Sequence, residues 1–249
     1  MEHMITASHH YQKEANRNLI MNVLRRGERV SRADLARITG LKRSTITHMV
    51  QELLAHRLVI EGEVGSASPQ GGRKPIALQL NDHFGYIIGI DMDRYTCNTV
   101  LLDIQGNVVE EYQEMIPTSG SDAAEYIPVV IKSVYRHFSS TSRDHLRKII
   151  AIGLGISGTV DPREGIIMES RLHNLYQRSI KEILVDIPVP VLIENDANCS
   201  AWAEIVLASD EKHIENGIYL LPRISHDRRG IANRVEIGGA VIVLSLIHI

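Results

Sequence analysis

Two apolar runs decide which architectures are open to this chain. KIIAIGLGISGTVD (148–161) and PVPVLIEND (188–196) read as buried strands ending in polar or glycine-rich turns, and the second leads into a small-residue helix, ANCSAWAEIVL. Upstream, YIIGIDMD and NTVLLDIQGNVVEEYQEM, with a Gly-Asn turn in the latter, make a three-strand meander. SDAAEYIPVVIKSVYRHFSS follows with helical spacing through Ala124, Ile127, Val130, Ile131, Val134 and Tyr135, despite Pro128. NGIYLLPRI adds another strand after the small-residue helix. Strands alternating with helices after an initial meander predict an α/β domain with a mixed sheet.

The first eighty residues obey a different period. From Gln12 to Arg26, Leu19, Ile20, Val23 and Leu24 recur at helical spacing. In SRADLARITG, Ser31 stands three residues before Asp34, a variant capping box; Leu35 and Ile38 are expected to face inward, and Gly40 to supply the turn. LKRSTITHMVQELLAHRLV then places Ile46, Met49, Val50, Leu53 and Leu54 on one stripe and Arg43, Ser44, Thr47 and His48 on the opposite face. Two short helices around a glycine turn, the second with a polar face, match the helix-turn-helix plan. Lys42 stands where Ser or Thr is the favoured N-cap, so the start of that helix is open. In LVIEGEVGSASPQGGRKPIALQL two apolar strands flank a Gly/Ser/Pro-rich loop carrying Arg73 and Lys74, the pattern of a β-wing. The plan predicts a winged helix, residues 1–80, that grips double-stranded DNA. Lys42, Arg43, Ser44, Thr45, Thr47 and His48 would face the major groove, with Arg73 and Lys74 on phosphates or in the minor groove.

Charge supports that division. Residues 1–80 carry 12 Lys+Arg against 7 Asp+Glu, although the whole chain has a net charge of −3, so a polyanionic partner belongs to the basic end. Cys97 and Cys199 stand in unrelated contexts, which reads neither as a disulfide framework nor as a metal site and fits a reducing cytoplasm. No run approaches the roughly 20 apolar residues of a membrane span, and the start has no signal-peptide core.

The order of winged helix, GGRKP wing, GIDMD strand, GISGTVDPREG loop and ENDAN motif resembles the ROK family of repressors and sugar kinases, and specifically its transcriptional regulators. The resemblance runs from about Asn16 to Val243 and implies that residues 81–243 form an α/β, actin-like domain of the ribonuclease H-like type. Sugar kinases, heat-shock chaperones and actin share that fold, whose two lobes close on a ligand. Family kinases hold ATP phosphates with a turn of the form DxGGTK. Here the corresponding stretch is DMDRYTCN, residues 91–98, where both glycines and the Thr are gone and Arg94 and Tyr95 would crowd a phosphate. The resemblance therefore implies a sensor without enzymatic activity, with an ATP-dependent sugar kinase bearing a DNA-binding head as the alternative. A winged helix that only contacts proteins is a third reading.

By the same resemblance the sugar contacts are Gly158 in the GISGTVDPREG loop, Asn174 in SRLHNLYQ, and Asn195 and Asp196 in ENDAN. Asp196 is the position of the catalytic base if the protein is a kinase. At a strand-to-helix junction Asn195 and Asp196 equally suit N-capping, and Gly155 and Gly158 equally suit a structural loop. The role of Glu194 is open. The family pattern continues past EIGGAVIV with further sugar-site residues and a zinc-binding cysteine cluster, so the chain is expected to be truncated and to hold no cofactor itself. LSLIHI, residues 244–249, is expected to be a non-native tail. The function expected is a cytoplasmic, sugar-responsive repressor of carbohydrate-utilisation genes that binds operator DNA as a homodimer or higher homo-oligomer and releases it when sugar binds.

Overall fold

The computed structural model describes residues 2–25, 29–64, 76–116, 123–141, 148–207, 217–226, 232–243 and 246–248. The chain divides into two compact units, Met1–Gly85 with Asp103–Asn107, and Tyr86–Leu102 with Val108–Ile249.

In the first unit three helices precede a two-stranded antiparallel sheet: α1 (Glu2–Arg25), α2 (Arg32–Thr39), α3 (Arg43–Ala55), β1 (Val59–Val64) and β2 (Ile76–Leu80). The capping box starts α2: Ser31 Oγ accepts from the Asp34 N–H at 3.2 Å and the Asp34 carboxylate accepts from the Ser31 N–H at 3.1 Å. The Ser31 hydroxyl also donates to Asp34 Oδ2 at 2.7 Å, and that bond, then the one from the Ser31 N–H, holds the Asp34 pKa below its ordinary value. Gly40, at φ +69°, ends the helix in the left-handed conformation. Lys42 occupies the N-cap of α3 without a side-chain hydrogen bond, so that helix starts with its free N–H groups uncapped by a side chain.

Ile20, Leu24, Leu35, Ile46, Val50 and Leu53 from the three helices meet Val59, Leu78 and Leu80 of the sheet in one core. Full burial stabilises by about 1.5–3 kcal/mol per side chain of this size. Val30 joins β2 through the Leu78 N–H at 2.8 Å. Ile38 is a correction: it is 46% exposed, whereas Leu35 is fully buried. Successive residues turn roughly 100°, and Ala36 rather than Ile38 packs beside Leu35, so the buried side of α2 lies between Leu35 and Ala36 and Ile38 is turned away from it.

In the second unit β3 (Tyr86–Met92), β4 (Thr96–Leu102) and β5 (Val108–Met115) form the antiparallel meander. After α4 (Ala123–Thr141), β6 (Ile149–Ile156) pairs parallel with β3. β7 (Thr159–Asp161), β8 (Ile166–Ser170) and β9 (Leu175–Ser179) make a separate antiparallel sheet, and α5 (Ile180–Ile183) follows. β10 (Val191–Asn195) returns to pair parallel with β6, completing a mixed sheet of order β10-β6-β3-β4-β5. α6 (Asp196–Leu207) leads to an antiparallel sheet of β11 (Gly217–His226), β12 (Ala232–Val243) and β13 (Leu246–His248).

Alternation along β3 buries Ile88, Ile90 and Met92 in a core with Ile127, Ile131, Val134 and Phe138 of α4. Ile87, Gly89 and Asp91 point to the other face, where with Leu192 and Glu194 of β10 they line a cavity of about 1120 Å³. Among the described residues no helix is long and apolar enough to cross a membrane.

Candidate ligand site and nucleic-acid face

The parallel strands β6 and β10 run side by side, with Asn195 opposite Ile156, so the loop after β6 and the start of α6 emerge at the same sheet end. Ligand crevices in open α/β sheets form at such carboxyl ends. There a polar cavity of about 480 Å³ is lined by Ser157, Gly158, Thr159, Glu169, Arg171, Leu172, Asn195 and Asp196, with Ile237 and Gly238 of β12. Three of the four residues expected to contact sugar, Gly158, Asn195 and Asp196, come together in it.

The backbone of this site is tightly specified. Asn195 Nδ2 donates to the Gly158 carbonyl at 2.7 Å, while its Oδ1 accepts from the Asn198 N–H at 3.1 Å. Glu194 accepts from the Asn195 N–H at 2.8 Å and from Asn198 Nδ2 at 3.0 Å, which gives Glu194 a structural role at the helix start. Asp196 is 5% exposed, and its Oδ1 accepts from the Ala197 N–H at 2.8 Å. Asp196 lines the polar cavity and the larger sheet-face cavity alike. Gly158 has φ +131°, and a Cβ there would stand 2.2 Å from the Glu169 carbonyl oxygen, so only glycine fits. Fully buried Ser170 donates to the Ser157 carbonyl at 2.6 Å, fastening β8 to the same loop. On the other wall a Cβ at Gly238 would meet the Ala197 Cβ at 3.1 Å.

Asn174 is not brought to this cavity. It sits exposed at φ +52° between buried His173 and Leu175. His173 anchors the segment, its ring bonded to the Tyr126 hydroxyl at 2.8 Å and to the Met92 carbonyl at 3.3 Å. The sequence reading missed Ser157, Thr159, Glu169, Arg171 and Leu172 because it did not recognise the β7–β8–β9 sheet. The signal lay in TVD and GIIMES flanking the short turn PRE. Arg171 Nε donates to Glu169 at 2.8 Å, and that hydrogen bond, then the Glu169 charge, push the Arg171 pKa up.

The turn between β3 and β4 settles into a compact form without glycine. The Asp93 N–H donates to the Thr96 carbonyl at 2.9 Å and the Arg94 N–H to Asp93 Oδ1 at 2.7 Å. Two N–H groups of the turn are thus occupied internally, and the side chains of Arg94 and Tyr95 are half-buried there.

In the first unit, Lys42, Arg43, Ser44, Thr47 and His48 are exposed along the first two turns of α3, and Thr45 is half-buried. Glu52 lies one turn further, accepting from Lys13 at 2.7 Å and His48 at 3.2 Å, with Arg17 at 3.8 Å. The Lys13 hydrogen bond is the main cause of a lowered Glu52 pKa. Arg73 and Lys74 fall outside the described residues.

The ROK family model matches residues 87–221. The xylose repressor of Bacillus subtilis (strain 168) is 29% identical over 87% of this chain and 55% of its own length. The xylose repressor of Staphylococcus xylosus is 24% identical over 93% of this chain and 61% of its own. Among solved structures, a ROK family transcriptional regulator described as a homolog of the E. coli MLC protein superposes with TM-score 0.69 at 19% identity, covering 95% of this chain and 56% of that one. A ROK family glucokinase from Streptomyces griseus in complex with glucose and AMPPNP gives TM-score 0.51 at 21% identity over 66% of this chain and 46% of that one.

The chain therefore shares its fold with the ROK regulator over nearly its whole length and with a ROK glucokinase over 66% of it, and the family match lies almost entirely within the second unit. The chain belongs to the ROK family. It spans about half the length of the curated relatives it matches.

Proposed function

We propose that this chain is the DNA-binding and ligand-sensing part of a sugar-responsive transcriptional repressor of carbohydrate-utilisation genes. The first unit is a winged helix-turn-helix. Its α3 enters the major groove of operator DNA with Lys42, Arg43, Ser44, Thr45, Thr47 and His48, and the segment between β1 and β2 follows the backbone with Arg73 and Lys74. A sugar enters the polar cavity beside Asp196, Asn195 and Gly158. Binding favours a state in which the paired DNA heads of a homodimer no longer match their half-sites, which requires that the sugar prefer that state. The similarity to xylose repressors supports both the operator and the sugar as partners. A protein with these partners works in the cytoplasm.

The observation that carries the sensor reading over the kinase reading is the β3–β4 turn. Phosphoryl transfer is mostly positioning of the nucleotide. A turn whose N–H groups bond to Thr96 and Asp93 offers no cradle for the anion. The kinase alternative is favoured by Asp196, a buried carboxylate on the wall of a sugar-sized cavity, and by the fold shared with a ROK family glucokinase. Two measurements test the proposal. Fluorescence anisotropy with duplex DNA from the promoter beside its own gene should show salt-dependent binding that a cognate sugar weakens. ATP consumption across a sugar panel should stay at background, and turnover abolished by Asp196→Asn would establish the kinase instead. Absence of DNA binding at low salt leaves a protein-contact role for the first unit.

A further inference from the structure

We propose that Glu169 and Arg171 are specificity-determining contacts of the polar cavity, and that they select an unphosphorylated sugar over its phosphate ester. This rests on the ligand reading of the cavity given above. The two residues sit at i and i+2 around Ser170, on and just beyond β8, and residues so spaced share a face. Ser170 is fully buried and bonded to the Ser157 carbonyl. Behind it the Glu169 carbonyl lies against Gly158, where no side chain fits. The backbone carrying the pair is therefore fixed, and both side chains line the cavity.

The pair is arranged to read hydroxyls. The contact from Arg171 Nε to Glu169 Oε1, at 2.8 Å, uses one of five guanidinium donors and one carboxylate oxygen. It leaves donors and an acceptor side by side at a partly solvated rim, which suits adjacent sugar hydroxyls that each donate and accept. Holding Arg171 by Glu169 also lowers the conformational cost of ordering a long side chain on binding.

The same lining opposes an added phosphate. Among the described residues its ionisable side chains are two carboxylates, Glu169 and Asp196, and one guanidinium already bonded to Glu169. The start of α6 would ordinarily attract an anion. Here the Ala197 N–H is taken by Asp196 and the Asn198 N–H by Asn195. A phosphate ester would thus meet two carboxylates against one guanidinium whose charge is already shared with Glu169, and the Ala197 and Asn198 N–H groups at the start of α6 add nothing to balance them.

The test is isothermal titration of the full chain with D-xylose, D-glucose and D-glucose 6-phosphate, repeated on Glu169→Gln and Arg171→Ala. The free sugar that binds should do so at least about tenfold more tightly than a phosphate ester, and each variant should weaken it by about tenfold. Glu169→Gln should also narrow the gap between free and phosphorylated glucose. Both positions are exposed, and circular dichroism confirms that the variants are folded. Tighter binding of the phosphate ester, or sugar binding indifferent to both variants, overturns the proposal while leaving the ligand reading intact. No sugar bound by the unchanged chain overturns the ligand reading and the proposal together.

Discussion

The side-chain amide of Asn195 bridges two parts of the polar cavity: its nitrogen donates 2.7 Å to the Gly158 carbonyl and its oxygen accepts at 3.1 Å from the Asn198 N–H. One residue thus caps α6 and holds the loop after β6 in register with it. Exchanging the amide for a carboxylate keeps the cap and faces the carbonyl with an acceptor. Asn195→Asp should therefore cost about 1–3 kcal/mol in urea denaturation through the lost loop bond. Asn195→Ala should cost a further ~1 kcal/mol for the cap. Equal stability of the aspartate variant and the unchanged protein would show that the bridge carries no energy.

Gly158→Ala should be worse than its size suggests. The backbone sits at φ +131° with a carbonyl oxygen 2.2 Å from the new methyl, so β8 must move. A loss of more than about 1 kcal/mol is expected, accompanied by loss of sugar binding in titration calorimetry. Unchanged affinity would mean that the position of β8 does not shape the cavity.

The capping box of α2 makes part of the first unit's stability pH-dependent. The folded pKa of Asp34 lies below its ordinary value of 3.8. The contribution is accordingly complete above the unfolded pKa and lost as pH falls through the folded one. Asp34→Asn should be less stable than the unchanged protein at neutral pH, with the gap closing as pH falls below the ordinary carboxylate range. The half-exposed position of the carboxylate keeps the effect small. A gap that persists in strong acid would assign the loss to something other than the charge.

Both described cysteines should be slow to alkylate. Burial, then the charges of Asp91 and Glu114, push the Cys97 thiol up to about 12. Cys199 is exposed, yet desolvation by its surroundings, then Glu194, Asp196 and Asp91, raise its thiol to about 11. With little thiolate at neutral pH, iodoacetamide should react roughly tenfold or more slowly than with free cysteine, speeding up as pH rises. Fast labelling at neutral pH, followed by mass spectrometry, would contradict the crowding of carboxylates around α6.

On the face of α3 proposed to meet DNA, Arg43→Ala should lower affinity for the operator and reduce the slope of log affinity against log salt by about one if the guanidinium meets a phosphate. An unchanged slope with altered sequence preference would place Arg43 on a base edge instead.

Much of the fold was legible in the residues because burial followed period. Ile46, Met49, Val50 and Leu53 recur at helical spacing and are buried, and Ile88, Ile90 and Met92 alternate as strand residues do. Ser31 and Asp34 form the capping box their spacing announced. The β7–β8–β9 sheet was not legible, since three strands of 3–5 residues carry too few positions for alternation to stand out. Glu169 and Arg171 were invisible for the same reason: which cavity they line depends on that sheet. Asn195 and Asp196 were readable as a junction, but the choice between capping and ligand contact needed geometry. Asn195 does the capping while still lining the cavity.

The missing side chain of Gly238 gives the cavity a property its polar residues do not have. Because β12 approaches Ala197 closely enough that a Cβ on Gly238 would meet the Ala197 methyl at 3.1 Å, the distance between the two walls is set by glycine backbone facing a small side chain. A single-carbon change at this position would widen the gap without altering any hydrogen-bonding group. Relatives sharing every polar residue of the site could therefore accept sugars of different girth, with selectivity tuned by volume independently of chemistry.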